Sequence, residues 1–160
     1  MSEHKATIRW TRDGKDFAYK TYSRDHVWSV SGNEIPASAT PAYLGNPNRV
    51  DPEGALVAAL SSCHMLTFLA LASYKGFVVE GYDDEAVGHL EKNAAGKMAI
   101  TRVDLRPKIT FGGTKQPAES DLDFGLTSSV IRPQGWVMLP EPRRNGVLFE
   151  LGNSFGDATS

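Results

Sequence analysis

Residues Asp51 to Gly76 read DPEGALVAALSSCHMLTFLALASYKG, and the fold turns on how they are read. Asp51 is a favourable N-cap, and Pro52 suits the first helical position. Glu53 places an acid in the first turn, where the helix dipole favours one. Lys75 and Gly76 mark the other end, a cation in the last turn and a glycine just past it. Between these signals apolar residues fall on every face: Leu56, Val57, Leu60, Met65, Leu66, Phe68, Leu69 and Leu71. The pattern predicts one helix about 36 Å long at about 1.5 Å per residue. A helix apolar all round is expected to be buried all round. Cys63, the one cysteine of the chain, lies near its middle.

Upstream of the helix the text is β. Lys5 to Trp10 alternates as a strand does, and Asp13-Gly14 is a hairpin turn signal. Phe17, Tyr19 and Tyr22 mark a second strand, Arg24 to Val30 a third, and Gly32-Asn33 turns into a short run at Ile35. These segments predict a β-meander built from local hairpins. Thr40 to Val50, with Pro41, Gly45 and Pro47, reads as a loop that delivers the chain to the helix. A loop of this length beside a helix start is a candidate site wall.

Downstream, Phe77-Val78-Val79 leads to a strand at Ala86 to Leu90, and Asn93 to Gly96 is a turn. Met98, Ile100, Val103 and Leu105 form the next strand, with a shift of face near Thr101. Pro107 tolerates only an edge or a strand end, and Ile109 to Phe111 closes this β segment at Gly112-Gly113. Asp83-Asp84-Glu85 reads as a solvated loop. Pro117-Ala118-Glu119 opens a second helix that does not develop. From Phe124 the text changes: lysine disappears and Gly125, Pro133, Gly135, Pro140 and Pro142 interrupt it. Residues 124–160 are expected to be an irregular tail with short strands near Trp136 and Val147. A change of reading frame near Phe124 would account for the shift. The layout is α+β rather than alternating βαβ.

Length and composition bound the possibilities. At 160 residues the chain is expected to form a single domain, 1–160. Hydrophobic content of 41% and charged content of 22% suit a soluble globular protein. A formal net charge of −2 offers no attraction to nucleic acid or to an anionic membrane. The N-terminal MSEHKATIRW lacks the apolar core of a signal peptide. The long helix is diluted by Ser61, Ser62, Cys63, His64 and Thr67 and lacks the flanks of a membrane span. A lone cysteine excludes an internal disulfide and fits a reducing cytoplasm. His4, His26 and His89 have no metal-ligand spacing with Cys63, so neither metal nor cofactor is assigned.

The β-meander, the run DPEGALVAALSSCHM and the β-hairpin that follows resemble the OsmC/Ohr family of thiol peroxidases over about residues 5–123. The most specific part is Asp51-Pro52-Glu53 at a helix start with Cys63 ten positions after the glutamate. The resemblance implies an intertwined homodimer with two central helices packed between sheets. It implies a peroxidatic cysteine at Cys63 and an arginine from the N-terminal strands that pairs with Glu53. Ser23-Arg24-Asp25 is similar to the arginine segment, which makes Arg24 the candidate. The family also carries a second cysteine on a later helix, and this chain has neither there.

The chemistry needs these residue types. The nucleophile of a thiol peroxidase is a thiolate, and an apolar surrounding disfavours that charge. An arginine offsets the penalty, because it stays charged and forks toward both sulfur and oxygen. A carboxylate then holds the arginine. Cys63 without such partners would be a small buried core residue. Ten helical residues separate Glu53 from Cys63 by about 15 Å along the axis, so the two serve one site only from different subunits. His64 does not face the partners of Cys63, since successive helix residues diverge. Trp10, Tyr19, Tyr22 and Trp28 read as core or interface rather than as a stacking platform.

The expectation is therefore a cytoplasmic, homodimeric OsmC-like peroxidase acting in oxidative stress defence. It would reduce organic hydroperoxides or hydrogen peroxide through Cys63, with Arg24 and Glu53 in the site. Its cycle would use one cysteine and an external thiol reductant, such as a dithiol of the lipoyl type. The alternative is a catalytically impaired member that uses the same fold for binding or structure.

Overall fold

A computed structural model describes residues 2–118 and 130–131. Most of the expected tail, including the strands near Trp136 and Val147, lies outside the described residues. Two compact units divide the chain, Met1–Leu56 and Val57–Ser160. The long helix begins in the first and runs through the second.

The first unit holds an antiparallel sheet in the order β1 (Ala6–Arg9), β2 (His26–Val30), β3 (Asn33–Ala37). Trp28 pairs with Ile8 on one side and Ile35 on the other. Ser31 and Gly32, with φ of 50° and 80°, make the two-residue turn between β2 and β3. Positive φ at both central residues matches the twist of the strands. The turn falls one residue earlier than its sequence signal.

The expected strand through Phe17, Tyr19 and Tyr22 does not form. Asp13-Gly14 does turn, with φ of 50° and 70°, but it does not join a ladder. The aromatic residues gather instead. Phe17 lies 5.6 Å from Trp10 and 5.3 Å from Tyr22, centroid to centroid. The Trp10 indole N–H donates to the Ser23 carbonyl at 2.7 Å. Asp16 accepts from the Thr21 hydroxyl and the Ala18 amide, and these bonds, the Thr21 one foremost, hold its carboxyl below the usual range. Ring packing across five to twelve residues replaces the backbone ladder that alternation suggested.

After β3 the chain closes on itself. Ala37 makes a parallel bridge with Val50, and the Ser38 amide donates to the Val50 carbonyl at 2.9 Å. Pro41–Tyr43 forms a short 3-10 turn inside this loop. Gly45 runs directly against the Ala39 carbonyl, and a Cβ there would overlap it.

The long helix, α1 (Pro52–Tyr74), begins where its local signals place it and stops before Gly76, but Lys75 falls outside it and no basic residue occupies its last turn. Asp51 Oδ1 accepts from the Gly54 amide at 2.8 Å. Gly76 has φ of 74°. Its amide bonds to Ser73, and the Phe77 amide reaches back to Ala72. This pair of bonds satisfies the last carbonyls, and Phe77 then enters a cluster with Phe68 and Ala72.

In the second unit β4 (Val78–Asp84) pairs with β7 (Pro107–Gly112), and β5 (Val87–Lys92) with β6 (Met98–Asp104). β8 (Val130–Ile131) adds to β6. Pro107 is the first residue of β7. A bulge at Thr101, between the partners of His89 and Leu90, makes the expected shift of face. The acidic run after Gly81 is not a loop. Asp83 and Asp84 end β4, and Asp84 accepts from the Ser61 hydroxyl at 2.5 Å and the Arg106 amide at 2.6 Å. Pro117 and Ala118 belong to no helix.

The helix is not buried all round. Its buried residues are Leu60, His64, Phe68 and Ala72, one every fourth position, which makes a single stripe. Phe68 and Ala72 pack with Val79, Tyr82, Ile109 and Phe111 of β4 and β7. Leu60 packs with Val103, Leu105, Val57 and Ile100. Only 22% of the most apolar 18-residue window is buried. One helix presents two or three residues per turn to a sheet, so the described strands cover one stripe of it.

Candidate functional site

Cys63 sits in the middle of α1, half-buried and free. Its position relative to the buried stripe is the informative feature. At about 100° per residue, Cys63 shares a face with Leu56, Ala59, Leu66 and Ala70 rather than with His64. Those four neighbours are all exposed, Leu66 to 61%. The thiol therefore lies in an apolar strip that is open among the described residues. Its carbonyl accepts from the Thr67 hydroxyl at 3.0 Å.

His64, one position on, belongs to the opposite environment. Its ring is buried, with Nδ1 2.8 Å from the Tyr82 hydroxyl. Burial, with the Asp84 carboxylate, pushes the Tyr82 phenol up to about 12. His64 is thus tied to β4 and is not placed to serve the thiol.

Arg24 lies just before β2. Its guanidinium donates to the Tyr22 and Tyr19 carbonyls, both at 2.6 Å. It also stacks on the Tyr22 ring at 3.8 Å from the centroid. Such contacts suit a planar cation whose five donors are fixed in a fork. Glu53 occupies the first turn of α1 and is half-buried. Within one chain Arg24 and Glu53 form no ion pair among the described residues. Glu53 and Cys63 project from the same helix, two and three-quarter turns apart.

The residue beside Arg24 is fastened to the loop that precedes the helix. Asn46 Nδ2 donates to Asp25 Oδ2 at 3.2 Å, and Arg49 Nε lies 3.4 Å from the same oxygen. Burial raises the Asp25 carboxyl, but bonds from Asn46 and Ser38 and the Arg49 charge outweigh it and hold the group below its ordinary value. A cavity of about 300 Å³ opens here, with Trp10, Asp25, His26 and Arg49 in its wall. Arg49 is the residue of the Thr40–Val50 loop that lines it. Sequence reading missed Asp25, His26, Asn46 and Arg49. The Asn-rich, Pro-broken text of the loop was the available signal, but nothing local says which carboxylate it will meet. Among the described residues no three His, Cys, Asp or Glu side chains gather as metal ligands would.

The chain is similar in sequence and in fold to known proteins. The family description "OsmC-like protein" matches residues 45–122. An OsmC-like protein of unknown function from Vibrio cholerae O1 biovar eltor str. N16961 is 47% identical, with a TM-score of 0.73 over 77% of this chain and 84% of that one. An OsmC-like protein from Mycoplasma pneumoniae has the same fold at 16% identity, with a TM-score of 0.56 over 76% of this chain and 75% of that one. An organic hydroperoxide resistance protein from Elizabethkingia anophelis is similar at 13% identity, with a TM-score of 0.50 over 72% and 74% of the two chains. No functionally curated protein matches.

Proposed function

The chain belongs to the OsmC-like family, and on that premise we propose that it is a cytoplasmic, homodimeric thiol peroxidase acting on organic hydroperoxides or hydrogen peroxide. The observation that carries this reading is the placement of Cys63. The chain's one thiol lies in the middle of an apolar strip, half-buried, with Leu56 and Leu66 exposed beside it. A second copy laid along that strip would cover it and enclose the thiol. Glu53 of one subunit would then pair across the interface with Arg24 of the other, beside that subunit's Cys63, which removes the 15 Å obstacle within one helix.

The Cys63 thiolate attacks one peroxide oxygen, the O–O bond breaks, and the alcohol leaves as its alkoxide, which takes a proton. Sulfur is oxidised to sulfenic acid and the peroxide is reduced. Arg24 would hold the thiolate charge and the departing oxygen, and Glu53 would hold Arg24. With one cysteine per chain, the sulfenic acid condenses with an external thiol, releasing water. A second external thiol then regenerates Cys63 and leaves as a disulfide. A dithiol supplies both equivalents.

A second reading has its own support. The absent second cysteine leaves the sulfenic acid open to irreversible oxidation, so a non-catalytic binding or structural member is the competing account. The deciding experiment is peroxide consumption by wild type and Cys63→Ser with dithiothreitol or dihydrolipoamide. We expect slow, dithiol-dependent turnover in wild type only. Equal consumption by both proteins ends the enzyme reading. Sedimentation at micromolar concentration should show a dimer, and a clean monomer would remove the shared site.

A further inference from the structure

β2 begins with His26 and carries Trp28 two positions later, so the two side chains share a face. The Trp28 indole nitrogen lies 2.7 Å from His26 Nε2. An indole N–H is a donor only, so Nε2 must accept and must carry no proton. At the other side of the ring, His26 Nδ1 lies 2.8 Å from the Arg24 carbonyl oxygen. A carbonyl is an acceptor only, so Nδ1 must carry the proton. Both ring nitrogens are used, in opposite senses, and one tautomer alone satisfies them: neutral, with hydrogen on Nδ1.

Residue 24 is thereby held twice. Its side chain is fixed from the preceding turn by Tyr19 and Tyr22. Its backbone is fixed from the following strand by the imidazole. We infer that His26 is a positioning residue for Arg24: the indole of Trp28 sets the tautomer of His26, and the Nδ1–H of His26 sets the Arg24 backbone from which the guanidinium is aimed. This rests on the reading of Arg24 as the cation that holds the Cys63 thiolate. A hydrogen bond between a ring nitrogen and the backbone of a functional residue constrains orientation at the point where side-chain contacts do not.

The test uses the full-length protein. In uniformly 15N-labelled wild type, His26 should show a protonated Nδ1 and a bare Nε2. A protonated Nε2 would overturn the inference directly. Iodoacetamide alkylation of Cys63 at neutral pH then reports on Arg24. Arg24→Met should slow it by about tenfold or more. His26→Phe, which removes both ring bonds, should slow it by about three- to tenfold. His26→Asn, whose side-chain amide can still donate from the Nδ1 position, should recover part of that loss. The double variant Arg24→Met/His26→Phe should be no slower than Arg24→Met alone, because the second residue acts through the first. Additive slowing, or a wild-type rate in His26→Phe while Arg24→Met is slow, overturns the positioning role and leaves the Arg24 reading intact. A wild-type rate in Arg24→Met defeats the Arg24 reading and takes the inference with it. If His26→Phe does not fold, Trp28→Phe, which removes the indole donor to Nε2, takes its place in the same comparison.

Discussion

The segment around Arg24 and the segment around Cys63 are held by different kinds of force. Arg24 is fixed by near neighbours in sequence: Tyr19, Tyr22 and His26. Its bonds are polar and directional, and much of the loop before it is exposed. The Cys63 segment is fixed by distant residues. The stripe beside it meets Val103 and Leu105 at Leu60, and Tyr82 and Phe111 at Phe68. One region sets the direction of a charge by hydrogen bonds, and the other sets the position of a helix by area removed from water.

The largest expected effect comes from the helix. Leu60 is fully buried, and Leu60→Ala should cost about 2–5 kcal/mol. Leu66, at 61% exposed, should cost less than about 0.5 kcal/mol on its own chain. Urea denaturation of both variants at two protein concentrations separates the cases. If the open face is a dimer contact, the Leu66→Ala cost will depend on concentration. Equal, concentration-independent losses would mean that the buried stripe does not dominate.

Next come two glycines, one from each unit. A Cβ on Gly88 of β5 would run into the Val57 side chain, whereas one on Gly45 would meet the Ala39 backbone. Each alanine substitution should cost about 1–3 kcal/mol or more by overpacking. Val57→Ala should recover much of the Gly88→Ala loss, since a side chain can be shortened. Gly45→Ala has no comparable rescue. Thermal melts of the four proteins check this, and failure of Val57→Ala to rescue would put the helix farther from β5 than it stands.

The smallest effect is the polar fastening beside Arg24. The Asp25 carboxyl is lowered on folding from its ordinary 3.8. A lowered acid contributes stability above its unfolded value, and that stability is lost as pH falls through the folded value. Asp25 is about a third exposed, so the contribution should stay below about 1 kcal/mol after screening. The gap between wild type and Asp25→Asn, measured by denaturation, should be full near neutrality and should close below about pH 3.8. A gap that persists in acid would mean that the Arg49 and Asn46 contacts to Asp25 do not require its charge.

What could be read from residues alone was the set of features with local causes. Asp51 and Gly76 bound the helix because a cap and a left-handed glycine act within one turn. Asp13-Gly14, Gly32 and Asn93 to Gly96 marked turns for the same reason, and Pro107 marked an edge or a strand end because it lacks an N–H. Asp51-Pro52-Glu53 and Cys63 carried the family, and the matched segment, 45–122, ends where the text becomes irregular. Tertiary structure decided what depends on distant partners. The Phe17 to Tyr22 alternation looked like a strand, but its rings found Trp10 and the ladder was given up. Most of all, a helix apolar on every face contains no instruction about which stripe its own chain will cover. Sheet packing chose the line from Leu60 to Ala72, and a single step of about 100° put His64 inside and left Cys63 on the open side.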